Sequence, residues 1–479
     1  MTPNAALLTD LYELTMMQGY FEYGMHHRAV FDMFFRRQPF DGGFSVFAGL
    51  EDLLRTLENL RFYPDDLEYL DSLGLFDRNF LDYLATFRFT GDICSMSEGT
   101  VVFPHEPLLR VHTTIMEAQL IESMLLNIIN FQTLIATKTA RMYLASGSGT
   151  IAEFGLRRAQ GWDGALSASR AAFIGGASST SNTLAGKRFR IPVTGTMAHS
   201  WIMAFENERT AFERYARLYP DRTTFLIDTY DTLGSGIDNA IAVGKILQAQ
   251  GHSAGVRLDS GDIEYLSKEV RRRLDAAGLP EMRIAVSNEL DESIIHQLVN
   301  NDSPIDVWGV GTQLVTGGGD SSLTGVYKLA AKENGGGGFT PTMKVSDNPE
   351  KSTNPGIKQV YRFYDAGSVP IADYISLDDE AVQPGTGYTF YHPAVDYRKF
   401  RLERYDRFEA LLKPVMKDGK IVTEQPELET IRANTLGELD RLGETYKRII
   451  NPHIYKVSIS RQIKQLKQSF LRQYLSDDE

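Results

Sequence analysis

From residue 187 to 331, short β-branched runs alternate with stretches of helical period. Residues 191–193 are apolar and precede Gly195-Thr196 and a helical stretch ending at Leu218. Residues 225–227 precede Asp228-Thr229-Tyr230-Asp231 and a helix to Gln250. Residues 254–258 lead into Asp259-Ser260-Gly261-Asp262 and a helix rich in Arg and Glu. Residues 283–286 lead into Ser287-Asn288 and a helix opened by Asp291. Residues 305–308 lead into Gly309-Val310-Gly311-Thr312, and residues 326–329 form the expected next strand. Strand, loop and helix recur about five times at a spacing of roughly 25 to 30 residues, the pattern of a parallel sheet with right-handed crossovers. A closed or nearly closed α/β barrel fits best; a doubly wound open sheet is the alternative.

The flanks read differently. Residues 1–115 mix helical and strand patterns: a short helix after Thr9-Asp10, then an alternating, aromatic-rich strand over residues 29–35. Gly335 to Gly338 reads as a loop, and the last stretch is charged and helical, as over residues 459–474. The predicted organisation is an N-terminal α/β domain over 1–115, completed by part of 340–400, a catalytic α/β barrel over 116–339, and a helical region over 401–479.

Each predicted strand of the middle region ends in polar residues: Thr196 with His199, Asp228 with Asp231, Asp259 with Asp262, Ser287 with Asn288, then Gly309, Gly311 and Thr312. In parallel α/β folds these ends share one face, where active sites form. Helix capping alone accounts for Asp262 and Asp291. Asp228 and Asp259 directly follow apolar strands, ahead of the capping position, and suit chemistry better. Carboxylates on neighbouring strands can carry Mg²⁺ through water beside phosphate oxygens. Gly309-Val310-Gly311-Thr312 is either a tight turn or a cradle of backbone N–H groups for phosphate. His199 is one of 9 histidines, yet it falls near a helix start on the same face, where an imidazole serves as base or nucleophile. Near Glu153, Phe154 offers a ring to stack on and Arg157 a guanidinium for an anion.

Charge narrows the partners. The net charge of −12 and pI near 5.4 disfavour nucleic acid and anionic membranes. An anionic substrate then needs a local basic cluster, and Arg157, Arg158, Arg170, Lys187, Arg188 and Arg190 form a candidate run. The single cysteine, Cys94, rules out an intramolecular disulfide and a cysteine-based zinc site. Met1-Thr2-Pro3-Asn4 opens no signal-peptide pattern and no long apolar run reaches membrane-spanning length, so a cytoplasmic protein is expected.

Taken together, these residues resemble the nicotinate phosphoribosyltransferase family. The resemblance runs essentially the whole length. It rests on Leu8-Thr9-Asp10-Leu11-Tyr12-Glu13-Leu14-Thr15-Met16, residues 153–158, Ser181-Asn182-Thr183-Leu184-Ala185-Gly186, and residues 195–201, 228–231, 256–262 and 309–312, in that order. It implies an irregular parallel α/β barrel of the type II phosphoribosyltransferase kind, with an N-terminal α/β domain and a helical C-terminal segment, in a homodimer. It implies an enzyme of NAD salvage that joins nicotinate to phosphoribosyl pyrophosphate, giving nicotinate mononucleotide and pyrophosphate, with ATP as co-substrate and Mg²⁺ required.

By position in the matching motifs, His199 is the histidine phosphorylated by ATP. Tyr12, Thr196 and Arg257 hold nicotinate, Phe154 stacks on it, and Tyr12 reaches a partner protomer's site. Arg157, Ser287 and Thr312 contact phosphoribosyl pyrophosphate, Gly309 and Gly311 admit its 5′-phosphate, and Asp228 and Asp259 face the ribose and the metal through water. The sister nicotinamide enzyme carries an aspartate in the stretch matching residues 181–186. Asn182 stands here instead and adds no negative charge against a carboxylate, which favours nicotinate. A Mg²⁺-dependent barrel lyase or hydrolase would explain the carboxylates but not the Gly309–Thr312 segment together with the basic run.

Overall fold

The computed structural model describes residues 5–346, 351–395 and 397–475, so the acidic end Ser476-Asp477-Asp478-Glu479 lies outside the described residues. The chain divides into two compact units, Ile135–Ser321 and Met1–Leu134 with Ser322–Glu479.

The unit Ile135–Ser321 is built on six parallel strands: β1 (Thr150–Glu153), β2 (Ser179–Thr180), β3 (Thr224–Leu226), β4 (Gly255–Leu258), β5 (Arg283–Asn288) and β6 (Val307–Val310). Their order across the sheet is β2-β1-β6-β5-β4-β3. Connecting helices include α1 (Gly161–Ile174), α2 (Thr183–Phe189), α3 (His199–Met203), α4 (Glu208–Leu218), α5 (Ile237–Ala249), α6 (Ile263–Ala276), α7 (Glu292–Asn300) and α8 (Thr312–Val315). The parallel sheet read from periodicity is present, shifted upstream. Strands β1 and β2 join it, while residues 191–193 contribute only a single bridge, Val193 to Thr180. The expected next strand, residues 326–329, belongs instead to the other unit. There Gly325–Glu333 runs antiparallel to Arg28–Phe35. After β6 the chain makes only the four-residue α8, with no long helix to cover a further parallel strand.

Alternation along these strands separates two faces. Ile151, Phe225, Val256, Leu258, Ile284, Trp308 and Val310 are buried on one. Apolar positions of the helices, such as Val243 and Leu247 of α5, Val270 and Leu274 of α6, and Ile295 of α7, are buried as well. The other face carries small or polar residues, among them Ala152, Thr224, Gly255, Ala285 and Gly309, and lines a cavity of about 1040 Å³. Register holds this face level: Gly309 pairs with Ala152 on one side and Ser287 on the other, and Ala285 pairs with Arg257. Asp262 caps α6 through the Tyr265 amide, and Asp291 caps α7 through the amides of Ser293 and Ile294, as helix capping requires.

The other unit holds two large sheets and a two-stranded one, Ser45–Val46 with Val101–Val102. One large sheet is seven-stranded, with Arg28–Phe35 between Gly325–Glu333 and Leu109–Thr114; the other is six-stranded, centred on Pro370–Leu377 and Val457–Ile459. The C-terminal region is less helical than expected. Besides the helices Leu428–Arg441 and Arg461–Leu475 it supplies strands Arg407–Ala410, Lys413–Lys417 and Val457–Ile459. These strands are short, and the first two carry charges, which hides the two-residue period. Among the described residues no helix is long and apolar enough to cross a membrane.

A buried polar network anchors this second unit. Arg362 forks onto Asp373, with Nη2 to Oδ2 at 2.7 Å and Nε to Oδ1 at 2.9 Å, and the Tyr455 hydroxyl donates to the same carboxylate at 3.0 Å. Glu106 sits fully buried beside them. Burial first, then the Asp373 charge, pushes its carboxyl well above the ordinary range, so the folded chain keeps a proton there that the unfolded chain releases. Stability from this group is therefore complete below about pH 4.3 and is lost as pH rises towards the folded value. Glu106→Gln removes that loss. Thermal melts of both proteins at pH 5 and pH 8 are expected to show the variant's relative stability increasing with pH; parallel behaviour would mean an ionised Glu106 in the native state.

Candidate functional site

The carboxyl ends of β3 to β6 bring the predicted polar residues together. His199 opens α3, and its Nε2 lies 3.1 Å from Oδ1 of Asp228, two residues after β3. The Asp228 side chain is 1% exposed while the imidazole is 42% exposed. The carboxylate is thus buried behind a ring that solvent and ligands can reach. Its other oxygen, Oδ2, accepts from the Asp259 amide at 3.1 Å and the Ser260 hydroxyl at 2.6 Å.

A second cluster lies on β4 and β5. Arg257 Nε donates to Ser287 Oγ, Nη1 to Thr196 Oγ1 and Nη2 to Asp259 Oδ1, each at 2.8 Å. The Ser287 hydroxyl also donates to Asp259 Oδ1. Burial pushes the Asp259 carboxyl up, but the Ser287 hydroxyl and the Arg257 charge outweigh it, with His199 adding, and hold it below the ordinary carboxylate range. A guanidinium has five N–H donors, so three such bonds leave Arg257 one N–H on each terminal nitrogen. Its charge lies 6.0 Å from the Phe154 ring centre, and Phe154, Thr196, Arg257 and Gly309 all line the cavity.

Phe154 packs against bare backbone. A Cβ on Gly309 would come within 2.7 Å of its ring. Behind it Glu153, 1% exposed, accepts from the Gly155 amide, Ser169 Oγ and Thr180 Oγ1, fixing the end of β1. Gly311 precedes α8, and the Thr312 hydroxyl donates to Glu289 at 3.2 Å.

Other expectations fall elsewhere. Asn182 is buried; its Oδ1 caps α2 through the Ala185 amide and its Nδ2 donates to Ser169 Oγ at 3.2 Å. Its neighbours Ser181 and Thr183 line the cavity in its place. Arg157 stands on the exposed turn Leu156–Arg158. Arg170, counted in the basic run, is 1% exposed on α1 and is no part of a surface patch. Tyr12 lies in the other unit, on the helix Leu11–Glu22. Its hydroxyl is pushed up to about 12 by partial burial and by Glu122, Glu13 and Asp10, so it stays a neutral donor. Ser260 and Glu153 were given no role from sequence. A serine just ahead of a helix resembles a cap, and an acid inside an apolar strand has no periodic signature.

Among the described residues no group of three or more His, Cys, Asp or Glu is arranged to hold a metal ion. Both Asp228 oxygens and Asp259 Oδ1 already accept hydrogen bonds, so direct coordination falls to few atoms here, and a cation carried mainly by phosphate oxygens and water fits the donor set better.

Comparison with known proteins gives the family. Residues 150–364 match the nicotinate phosphoribosyltransferase (NAPRTase) family, residues 7–130 its N-terminal domain and residues 357–467 its C-terminal domain. The chain is 45% identical over 459 residues to nicotinate phosphoribosyltransferase of Bacillus subtilis (strain 168), covering 95% of this chain and 93% of that one. It is 34% identical over 520 residues to the Homo sapiens protein of the same name, covering 96% and 95%. The crystal structure of human nicotinic acid phosphoribosyltransferase superposes with a TM-score of 0.84 at 31% identity, covering 97% of this chain and all of that one. The chain belongs to the nicotinate phosphoribosyltransferase family.

Proposed function

We propose that this enzyme of NAD salvage joins nicotinate to phosphoribosyl pyrophosphate while ATP hydrolysis is coupled through a transient phosphate on His199. One observation carries the coupling: an accessible imidazole whose Nε2 faces a buried, saturated carboxylate. Asp228 holds the proton on Nε2 and leaves the Nδ1 lone pair for the γ-phosphoryl group, with ADP departing and water later releasing phosphate. In the transfer itself the bond from ribose C1 to pyrophosphate breaks, the electron pair leaves with pyrophosphate, and the pyridine nitrogen closes on C1 through a cationic, oxocarbenium-like state.

The residues divide this work. Arg257 pairs with the nicotinate carboxylate through its two remaining N–H groups, Phe154 stacks on the ring, and Thr196 orients Arg257. Discrimination against the uncharged amide then rests on Arg257, Asn182 being committed to the α2 cap. Gly309, Gly311 and Thr312 with Ser287 receive the phosphoribosyl end, and Arg157 adds charge from its exposed turn. Asp259 faces the ribose; its Oδ2, with Asp228 behind, would hold a water of Mg²⁺, which supplies charge neutralisation to the pyrophosphate leaving group. We read the six-stranded sheet as rolled around the cavity into an incomplete barrel, with the Val193 bridge extending it. A cytoplasmic homodimer, with Tyr12 reaching the partner's site, completes the reading.

The test is a transfer assay with nicotinate, phosphoribosyl pyrophosphate and Mg²⁺, with and without ATP. Wild type is expected to show ATP stimulation, and His199→Ala to lose both that stimulation and ATP hydrolysis. A His199→Ala protein that keeps both would overturn the phosphate-carrier role, and equal turnover of nicotinamide would overturn the substrate choice. Gly309→Ala forces the Phe154 ring aside and is expected to raise KM for nicotinate about tenfold or more, read from initial rates at saturating phosphoribosyl pyrophosphate.

A further inference from the structure

We infer that Ser260 is a positioning residue for the site: its hydroxyl, with the Asp259 amide, holds one oxygen of the Asp228 carboxylate and so fixes the plane in which the other meets His199. This rests on the reading of His199 as phosphate carrier. Rotation of an aspartate carboxylate about its last bond is soft, with no deep staggered wells. Burial alone therefore does not set the plane in which the carboxylate meets the imidazole. Two donors on Oδ2, Ser260 Oγ at 2.6 Å and the Asp259 amide at 3.1 Å, decide it.

The turn is shaped for this contact. Gly261 has φ +83°, in the left-handed region, and a Cβ there would also meet Leu266 Cδ1 at 2.8 Å. The chain can therefore double back so that the residue before Gly261 faces Asp228. Ser260 is not needed as the cap of α6, because Asp262 does that through the Tyr265 amide at 3.0 Å. Nor does the Asp259 side chain compete, since it faces Arg257 and Ser287. The segment thus serves two tasks: the Asp259 carboxylate sets Arg257, and the Asp259 amide with Ser260 Oγ sets Asp228. Ser260 itself is exposed, so removing its hydroxyl leaves no buried cavity.

The test is a double-mutant cycle on the full chain, with Ser260→Ala, Ser260→Thr, His199→Ala and the Ser260→Ala/His199→Ala pair, measuring kcat and KM for nicotinate with ATP and the residual transfer without it. Ser260→Ala is expected to lower kcat of ATP-coupled transfer ~10-fold with KM changed less than about twofold, and Ser260→Thr to stay within about threefold of wild type. On the His199→Ala background Ser260→Ala is expected to cost nothing further. An equal loss in both backgrounds, a loss confined to KM, or failure of threonine to restore kcat would overturn the assignment. Full ATP stimulation in His199→Ala alone would instead overturn the phosphate-carrier reading, and that arm reports it independently of Ser260.

Discussion

The site depends on a division of labour between the two faces of one parallel sheet. Bulky side chains such as Val256, Ile284 and Trp308 take one face, and this leaves the opposite face free of packing duty. That face can then carry glycine, alanine and serine with Arg257 and Arg283 among them, and the cavity follows. Parallel pairing in register sets these residues side by side, so that Gly309, Ser287 and Ala152 form one row. Everything polar at the strand ends is built on that row.

The electrostatic arrangement follows the same economy. Two carboxylates lie close together, each held by its own donors: Asp228 on both oxygens by an imidazole, an amide and a hydroxyl, Asp259 on Oδ1 by a guanidinium and a hydroxyl. Like charges so placed repel unless each is neutralised locally. The donors do this within the protein, before any substrate or cation arrives, and hold the groups in fixed directions. Such preorganisation spares the reaction the reorientation that water would need.

Much of this was legible in the sequence, for particular reasons. Strands β3 to β6 each combine an apolar run with a polar end, so period and punctuation coincide, and Asp228, Asp259, Ser287 and Gly309 could be placed on one face, with His199 joining them from the apolar run 191–193 and Arg257 from family resemblance. Strand β1 has only Ile151 and Ala152 as apolar markers, and the two-residue β2 has no period at all. The run 326–329 looked like one more parallel strand because partner and direction leave no mark on a single strand; pairing with Arg28–Phe35 is a long-range fact. Arg170 joined an apparent basic patch because sequence proximity says nothing of helix facing, and α1 turns it inward. Asn182 suggested a specificity contact by its place in a motif, whereas local hydrogen bonding commits it to a cap. The part played by Tyr12 came from family resemblance alone, since no period or spacing links residue 12 to the rest.

The unfilled inner face also bears on how such a protein changes over time. Substitution in a close-packed interior is paid for in strain or lost contacts. Thr224 and Ala285 border open volume instead, so side chains there can grow while the helix-facing layer that holds the fold is untouched. Selection on ligand shape and selection on folding therefore act on alternate residues of the same strands, and a lineage can explore one while conserving the other.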